Sequence, residues 1–568
     1  MRRLSGLMRR LSGLRRRLDG MSAGLSLTRS SGIIEISAVD IDDDAAAGSV
    51  VGALSVVGLG DGPWAYSLID DAGGMFAIAG ANLVVGLTPL DHDTVPAPTL
   101  IVSATDGSIV VTGKVLLNIR SPLPALPMAT GTKIISLGHS FIQRGAFSNT
   151  MGAHTSCVRA AMPWVRLWDH RFNTDMWYDG AIPWMTSSNR LAGSHSGVGG
   201  DHLVKEGGAP GTIERTPWIA ARRPGIVHLD NGTNDISSGV GVTAAAQVIE
   251  RLDRQLTLLR NEGIWTVIQT ITDRGAWPEG SNKAIIVAGV NEWIKAQAGR
   301  TGVYVLDLTS LGFNYPTFDA SLFGTDILHP NPKGGRAIAS ALLPILQAMV
   351  SPGETWNLNP SDGNIWPSKG LLGTTGTISA SYGSGQVATG HRVVRNSGSA
   401  ITAVCSKEVI DASYEKQVIA FTSNGLGARD ENWRFVYGST ATLLTTLGLV
   451  EGDWFEMLMF VEFSASPLWN SIVLQAELYQ STTLRISSGT GFINPDDGTQ
   501  DLPLSEGWSG WLRMMPTLVQ GSVDRFRLDS RPLSIDLNAS VAGTASLKIS
   551  KPILRKCADP RPAWNLAA

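Results

Sequence analysis

Cysteine is scarce in this chain: Cys157, Cys405 and Cys557 are the only three in 568 residues. They lie far apart and form no Cys-x-x-Cys pair, which argues against a disulfide framework or a zinc knuckle. Charge is sparse too, at 17% Asp, Glu, Lys and Arg, with a formal net charge of -3. That balance gives no general attraction to nucleic acid. No apolar run reaches the roughly 18 residues that point to a membrane-spanning helix. The first residues also lack the apolar stretch of a secretion signal, so a protein working outside its cell of origin is expected to leave by another route. What is present is a globular composition, 43% hydrophobic with 63 glycines, which favours turn-rich β structure. Because single cores stop growing near about 250–300 residues, this length predicts several domains.

Residues 1–30 form a basic repeated arm, MRRLSGL-MRRLSGL-RRRLDGM. Leu4, Leu11 and Leu18 share one position of the seven-residue period; Leu7, Leu14 and Met21 share another. Two readings stay open. One is a solvated tail. The other is a short amphipathic helix that docks on a virion or surface assembly, or associates with copies of itself into a homo-oligomer. The glycine in each repeat weakens that helix by about 1 kcal/mol.

Residues 31–120 read as strands between Gly and Asp turns, the pattern of a small β-sandwich. Within them stand Ala38-x-Asp40-x-Asp42, Tyr66-Ser67-Leu68, Phe76-x-Ile78, Leu90-Asp91-His92-Asp93 and Ala104-Thr105-Asp106-Gly107. On these pieces the segment resembles a cadherin-like repeat. The resemblance implies structural calcium at Asp40, Asp42, Asp91 and Asp106, since hard carboxylate oxygens suit that ion. The chain departs from the family in having one repeat and no acidic linker motif. Ordinary turn aspartates are the alternative.

The Pro-rich stretch 121–131 marks a linker. From 132 to 352, the short apolar runs KIISLG, IVHLDN, WTVIQTI and VYVLDL suit buried parallel strands. Segment 244–260 repeats apolar residues at helical spacing, as does the stretch after Pro332. Strands alternating with helices predict an α/β domain with a parallel sheet. From 353 to 568 the helical pattern stops, and short strands predict a second β-sandwich or jelly roll. Trp356, Trp366, Trp433, Trp454, Trp469, Trp508 and Trp511 lie in it. They belong either to its core or to carbohydrate-binding faces.

Four segments of the α/β stretch carry chemistry. Gly138-His139-Ser140 follows the first strand, where a sharp turn puts a hydroxyl at the carboxyl edge of the sheet. Gly197-Val198-Gly199-Gly200-Asp201 can turn a backbone N–H into a cleft. Asn231-Gly232-Thr233-Asn234-Asp235 offers an uncharged amide at another strand end, able to donate to an oxyanion. Asp326-Ile327-Leu328-His329 spaces a carboxylate and an imidazole so that one holds the other toward a serine. In this order the segments resemble the blocks of the SGNH/GDSL hydrolases. The resemblance implies a flavodoxin-like α/β/α domain and an acyl-enzyme esterase that needs no cofactor. Ser140 is then the nucleophile and Asp326 and His329 its partners, with Ser140, Gly200 and Asn234 forming the oxyanion hole. The chain departs from the family at His139, where Asp is usual.

The expected fold class is therefore multidomain, α/β plus β, with a hydrolase domain between two β-sandwiches. Such an architecture suits a large, immobile substrate: O-acetyl groups on cell-surface or host polysaccharide, met by an extracellular or virion-associated enzyme. The alternative is a virion spike or adhesin that binds surface glycan with a weak or inactive hydrolase domain.

Overall fold

Alternating burial along short strands sets the architecture of the first of two compact units, Met1–Pro122 and Leu123–Ala568. The computed structural model describes residues 32–60, 62–146, 154–178, 191–205, 210–238, 245–493 and 507–565. The basic repeated arm lies outside them. In strand Thr99–Thr105, Leu100, Val102 and Ala104 are fully buried while their neighbours are not, the period of two that a one-sided strand requires. It pairs with Ala65–Asp70 and Val110–Leu116. A four-stranded sheet runs Ile33–Ile36, Val50–Val57, Asn82–Val85, Phe76–Ala79. Both sheets contribute to one core, with Leu54, Leu83, Leu100, Val102 and Ile119 in it. The strand Asp40–Asp42 pairs in parallel with Asn118–Arg120.

The second unit is built on five parallel strands: β1 Ile134–Gly138, β2 His195–Gly197, β3 Ile226–Asp230, β4 Trp265–Gln269 and β5 Val303–Leu306. Their spatial order is β2-β1-β3-β4-β5, the flavodoxin-like order, with its switch point between β1 and β3. Every residue of β1 and β3 is buried, as expected of strands covered on both faces. The helices are α1 Ser140–Ala146, α2 Ala161–Trp168, α3 Thr216–Ala221, α4 Thr233–Ser238, α5 Ala245–Asn261, α6 Asn282–Lys295 and α7 Pro332–Met349. Ile134, Ile226, Val267 and Leu306 face the cluster that holds α2 and α7. Ile135, Val227, Leu229 and Ile268 face the cluster that holds α3, α5 and α6. The result is three layers. No helix among the described residues is long and apolar enough to cross a membrane.

Beyond α7 the chain forms two nine-stranded sheets, and the α/β segment contributes strands to both. His154–Cys157 adds in parallel to Thr483–Ile493. Met176–Tyr178 pairs with Leu191–Gly193 and meets Thr517–Leu518. One hydrophobic cluster runs from α2 and α7 through Leu474, Phe435 and Phe455. The expected boundary at 352/353 is thus crossed by strand pairing and by shared core, and 123–568 packs as one body. Trp356, Trp366, Trp433, Trp454 and Trp469 are buried in it, which makes them core residues rather than sugar platforms. Trp508 and Trp511 are half-buried.

Candidate active site

Loops after β1, β2 and β3 meet at the switch point because β1 and β3 pair in register, Gly138 opposite Asp230. The contact is too close for a side chain at 138: a Cβ there would stand 2.5 Å from the Asp230 carbonyl oxygen. Ser140 follows at the start of α1. Arg215 draws two of the loops together. Its guanidinium is 1% exposed and donates to the carbonyls of Gly138 at 3.0 Å and Ser196 at 3.2 Å. It also pairs with the Asp201 carboxylate. Burial pushes that carboxyl up, against the pull of Arg215.

The third loop joins through Asn234, whose Nδ2 donates to the Asp201 carbonyl at 2.8 Å. Asp201 directly follows Gly200, which lies at φ +77°, a conformation that favours glycine. The Asn234 oxygen accepts from Arg274 at 3.2 Å. Arg274 also donates to Thr233 Oγ1 at 2.7 Å and lies 4.3 Å from the centre of the Trp277 ring. It therefore fixes which way the Asn234 amide faces. Asp235 is structural: it accepts from Leu203 N and Arg251, tying this loop to α5.

The fourth segment brings its histidine to the serine. His329 Nε2 lies 2.8 Å from Ser140 Oγ, and His329 Nδ1 lies 2.6 Å from Asp326 Oδ2. The other Asp326 oxygen accepts the backbone N–H groups of Leu328 and His329 at 3.1 and 3.0 Å. Burial raises the Asp326 carboxyl, but these hydrogen bonds and the neighbouring imidazole outweigh it and hold the group well below the usual carboxylate range. Ionised Asp326 keeps the Nδ1 proton in place, so Nε2 is free to accept from Ser140. Asn331 caps α7 by accepting from Gly334 N, and its amide donates to the Ser321 and Phe323 carbonyls. The histidine is thereby anchored between two fixed ends. Ser140, Asp326 and His329 are thus brought together, and Gly200 and Asn234 adjoin one another.

His139 turns away from this line into the protein, 1% exposed. Its Nδ1 accepts from Phe141 N at 3.4 Å. The Phe141 ring stands edge-on between His139 and His329, 4.5 and 5.3 Å from them.

The four aspartates expected to bind calcium each have protein partners. Asp40 and Asp42 pair with Arg120, and Asp40 also accepts from Asn118. Asp91 and Asp106 accept backbone N–H groups of their own turns. No group of three or more His, Cys, Asp or Glu able to hold a metal exists among the described residues. Arg215 and Arg274, by contrast, carried no motif; only their burial at the loops reveals them.

Residues 137–337 match the GDSL-like Lipase/Acylhydrolase family. No curated protein matches the chain. Among solved structures it is similar to a carbohydrate esterase family 3 protein from Talaromyces cellulolyticus, at 20% identity over 38% of this chain and 96% of that one, TM-score 0.26. A GDSL-like lipase from Bacteroides thetaiotaomicron shares 12% identity over 38% of this chain and 88% of its own, TM-score 0.28. A human protocadherin-24 fragment matches 18% of this chain and 53% of its own at 16% identity, TM-score 0.15. Residues 137–337 are a GDSL-like lipase/acylhydrolase domain.

Proposed function

We propose that the protein is a serine esterase that removes O-acetyl groups from cell-surface or host polysaccharide. The observation that carries the reading is the continuous line from Ser140 through His329 to Asp326. In this mechanism His329 Nε2 takes the proton of Ser140 Oγ as the oxygen attacks the acetyl carbonyl. The N–H groups of Ser140 and Gly200 and the Asn234 amide receive the developing oxyanion. The sugar hydroxyl leaves with the proton held by His329, and the acetyl group stays on Ser140. Water, deprotonated by the same imidazole, then attacks the acyl-enzyme and releases acetate.

The polysaccharide class rests on the sheets built onto the hydrolase. They carry an open cleft of about 530 Å³ in which the half-buried Trp508 ring lies beside Glu462 and Lys548, an aromatic ring with charged neighbours of the kind that can meet a sugar ring. The protein is expected to work outside the cell, free or on a virion. The test is acetate release from a panel of acetylated glycans, with Ser140→Ala as control. Turnover by the parent and none by the folded variant supports the esterase. Equal inertness of both leaves the glycan-binding adhesin, and release of long-chain acid from lipids in place of acetate would make it a lipid esterase.

A further inference from the structure

One ionisable pair beside the nucleophile takes no part in the mechanism above. His139 and Asp230 are 1% and 6% exposed, and His139 Nε2 lies 3.6 Å from Asp230 Oδ1. That is beyond hydrogen-bond reach but well within electrostatic range. The His139 Nδ1 accepts the Phe141 amide proton, so the ring's own proton sits on Nε2, toward the carboxyl. Arg215, Arg274, His202 and His329 act on His139 from the surrounding loops, and with burial they keep the ring neutral. Gln269 of β4 faces Asp230. The backbone carries the same coupling, since Gly138 and Asp230 are cross-strand partners.

We propose that His139 and Asp230 act as one charge-coupled pair that positions the nucleophile turn. The imidazole supplies the acceptor for the Phe141 amide without a second negative charge, so position 139 accepts a carboxylate only when position 230 gives up its own. This rests on the esterase reading, in which Ser140 is the nucleophile. It makes His139 a positioning residue, held between Gly138 and Ser140 by a neighbour 91 residues away.

The test is a mutant cycle assayed with p-nitrophenyl acetate near pH 8.5, where a buried carboxylate at 230 is charged. His139→Asp is expected to lower kcat about tenfold or more with KM nearly unchanged, and His139→Asp/Asp230→Asn to recover to within about threefold of the parent. His139→Asn keeps an acceptor without charge and should retain activity, whereas His139→Ala should not. Equal activity of His139→Asp and parent, no recovery in the double variant, or His139→Asn no better than His139→Ala would overturn the pair. If the parent neither turns over the ester nor reacts with a fluorophosphonate, the esterase reading fails instead. The pair is then read from thermal midpoints of the same cycle, where strictly additive changes overturn it and a compensating double variant supports it.

Discussion

Asp326 matters less for its own chemistry than for what it does to His329: it fixes the tautomer that leaves Nε2 able to accept. Asp326→Asn is therefore expected to reduce kcat by about 10⁴ with little change in KM, as loss of the orienting carboxylate does in serine triads. Steady-state kinetics on an acetyl ester check this, and a loss under tenfold would argue against the assigned relay. Asp230 shows the opposite electrostatics. Burial pushes its carboxyl from the ordinary 3.8 to about 7. The folded protein then holds that proton more tightly than the unfolded chain, so stability falls as pH rises through that window and the penalty is full above it. Asp230→Asn removes the penalty. Thermal unfolding should place the variant a few degrees above the parent near pH 8.5, with the gap closing near pH 4; an equal gap at both would show that ionisation is not the cause. These residues were unevenly legible. Ser140, Asn234 and the Asp326/His329 pair carry motif spacing. Asp230 looked like the last residue of a strand, because its partner at 139 is set by sheet register.

At the scale of elements, the turn that delivers His329 is held in strain. Ile327 lies at φ +44°, a region that costs a β-branched residue roughly 1–2 kcal/mol. It persists because the turn is tied at both ends: Gly275 N donates to the Ile327 carbonyl at 2.9 Å, and Ile327 N donates to Gly324 at 2.8 Å. Gly275 also lies directly against the Ile327 side chain, where an added Cβ would stand 2.7 Å from Cγ2. Gly275→Ala is expected to displace the turn and lower kcat by about tenfold to a hundredfold, the cost of misplacing a reacting group by an ångström or less. Unchanged kinetics in a folded variant would show that the turn can yield without moving His329. Strands β1, β3, β4 and β5 were readable as short apolar runs, and α5 and α7 as helical repeats; β2, three residues long, and α6 were not read. The predicted helix at 244–260 forms as Ala245–Asn261. His154–Cys157, Met176–Tyr178 and Leu191–Gly193 were not readable, being three or four residues long. The first pairs with residues from Ser488 on, and the second, besides pairing with the third, meets Thr517.

For the molecule as a whole, those short strands decide what can be cut. The cluster shared by α2, α7 and the C-terminal sheets leaves no seam at 352. A fragment ending there would strip the Phe492 ring from buried Trp164 and leave His154–Cys157 without the strand it pairs with. It is expected to aggregate or lose cooperative unfolding, as circular dichroism and sedimentation would show. A fragment of 123–568 is expected to fold and to hydrolyse p-nitrophenyl acetate like the full chain. A soluble, active 123–352 would mean the sheets are an appendage. Ser140, driven by His329, is proposed to carry the acyl group. Quenching the protein during turnover of an acetyl ester and mapping the adduct by peptide mass spectrometry decides this. One acetyl group is expected, on the Ser140 peptide, absent in Ser140→Ala and accumulating when deacylation is slowed. Acetate release with no adduct there, or undiminished in Ser140→Ala, would contradict it.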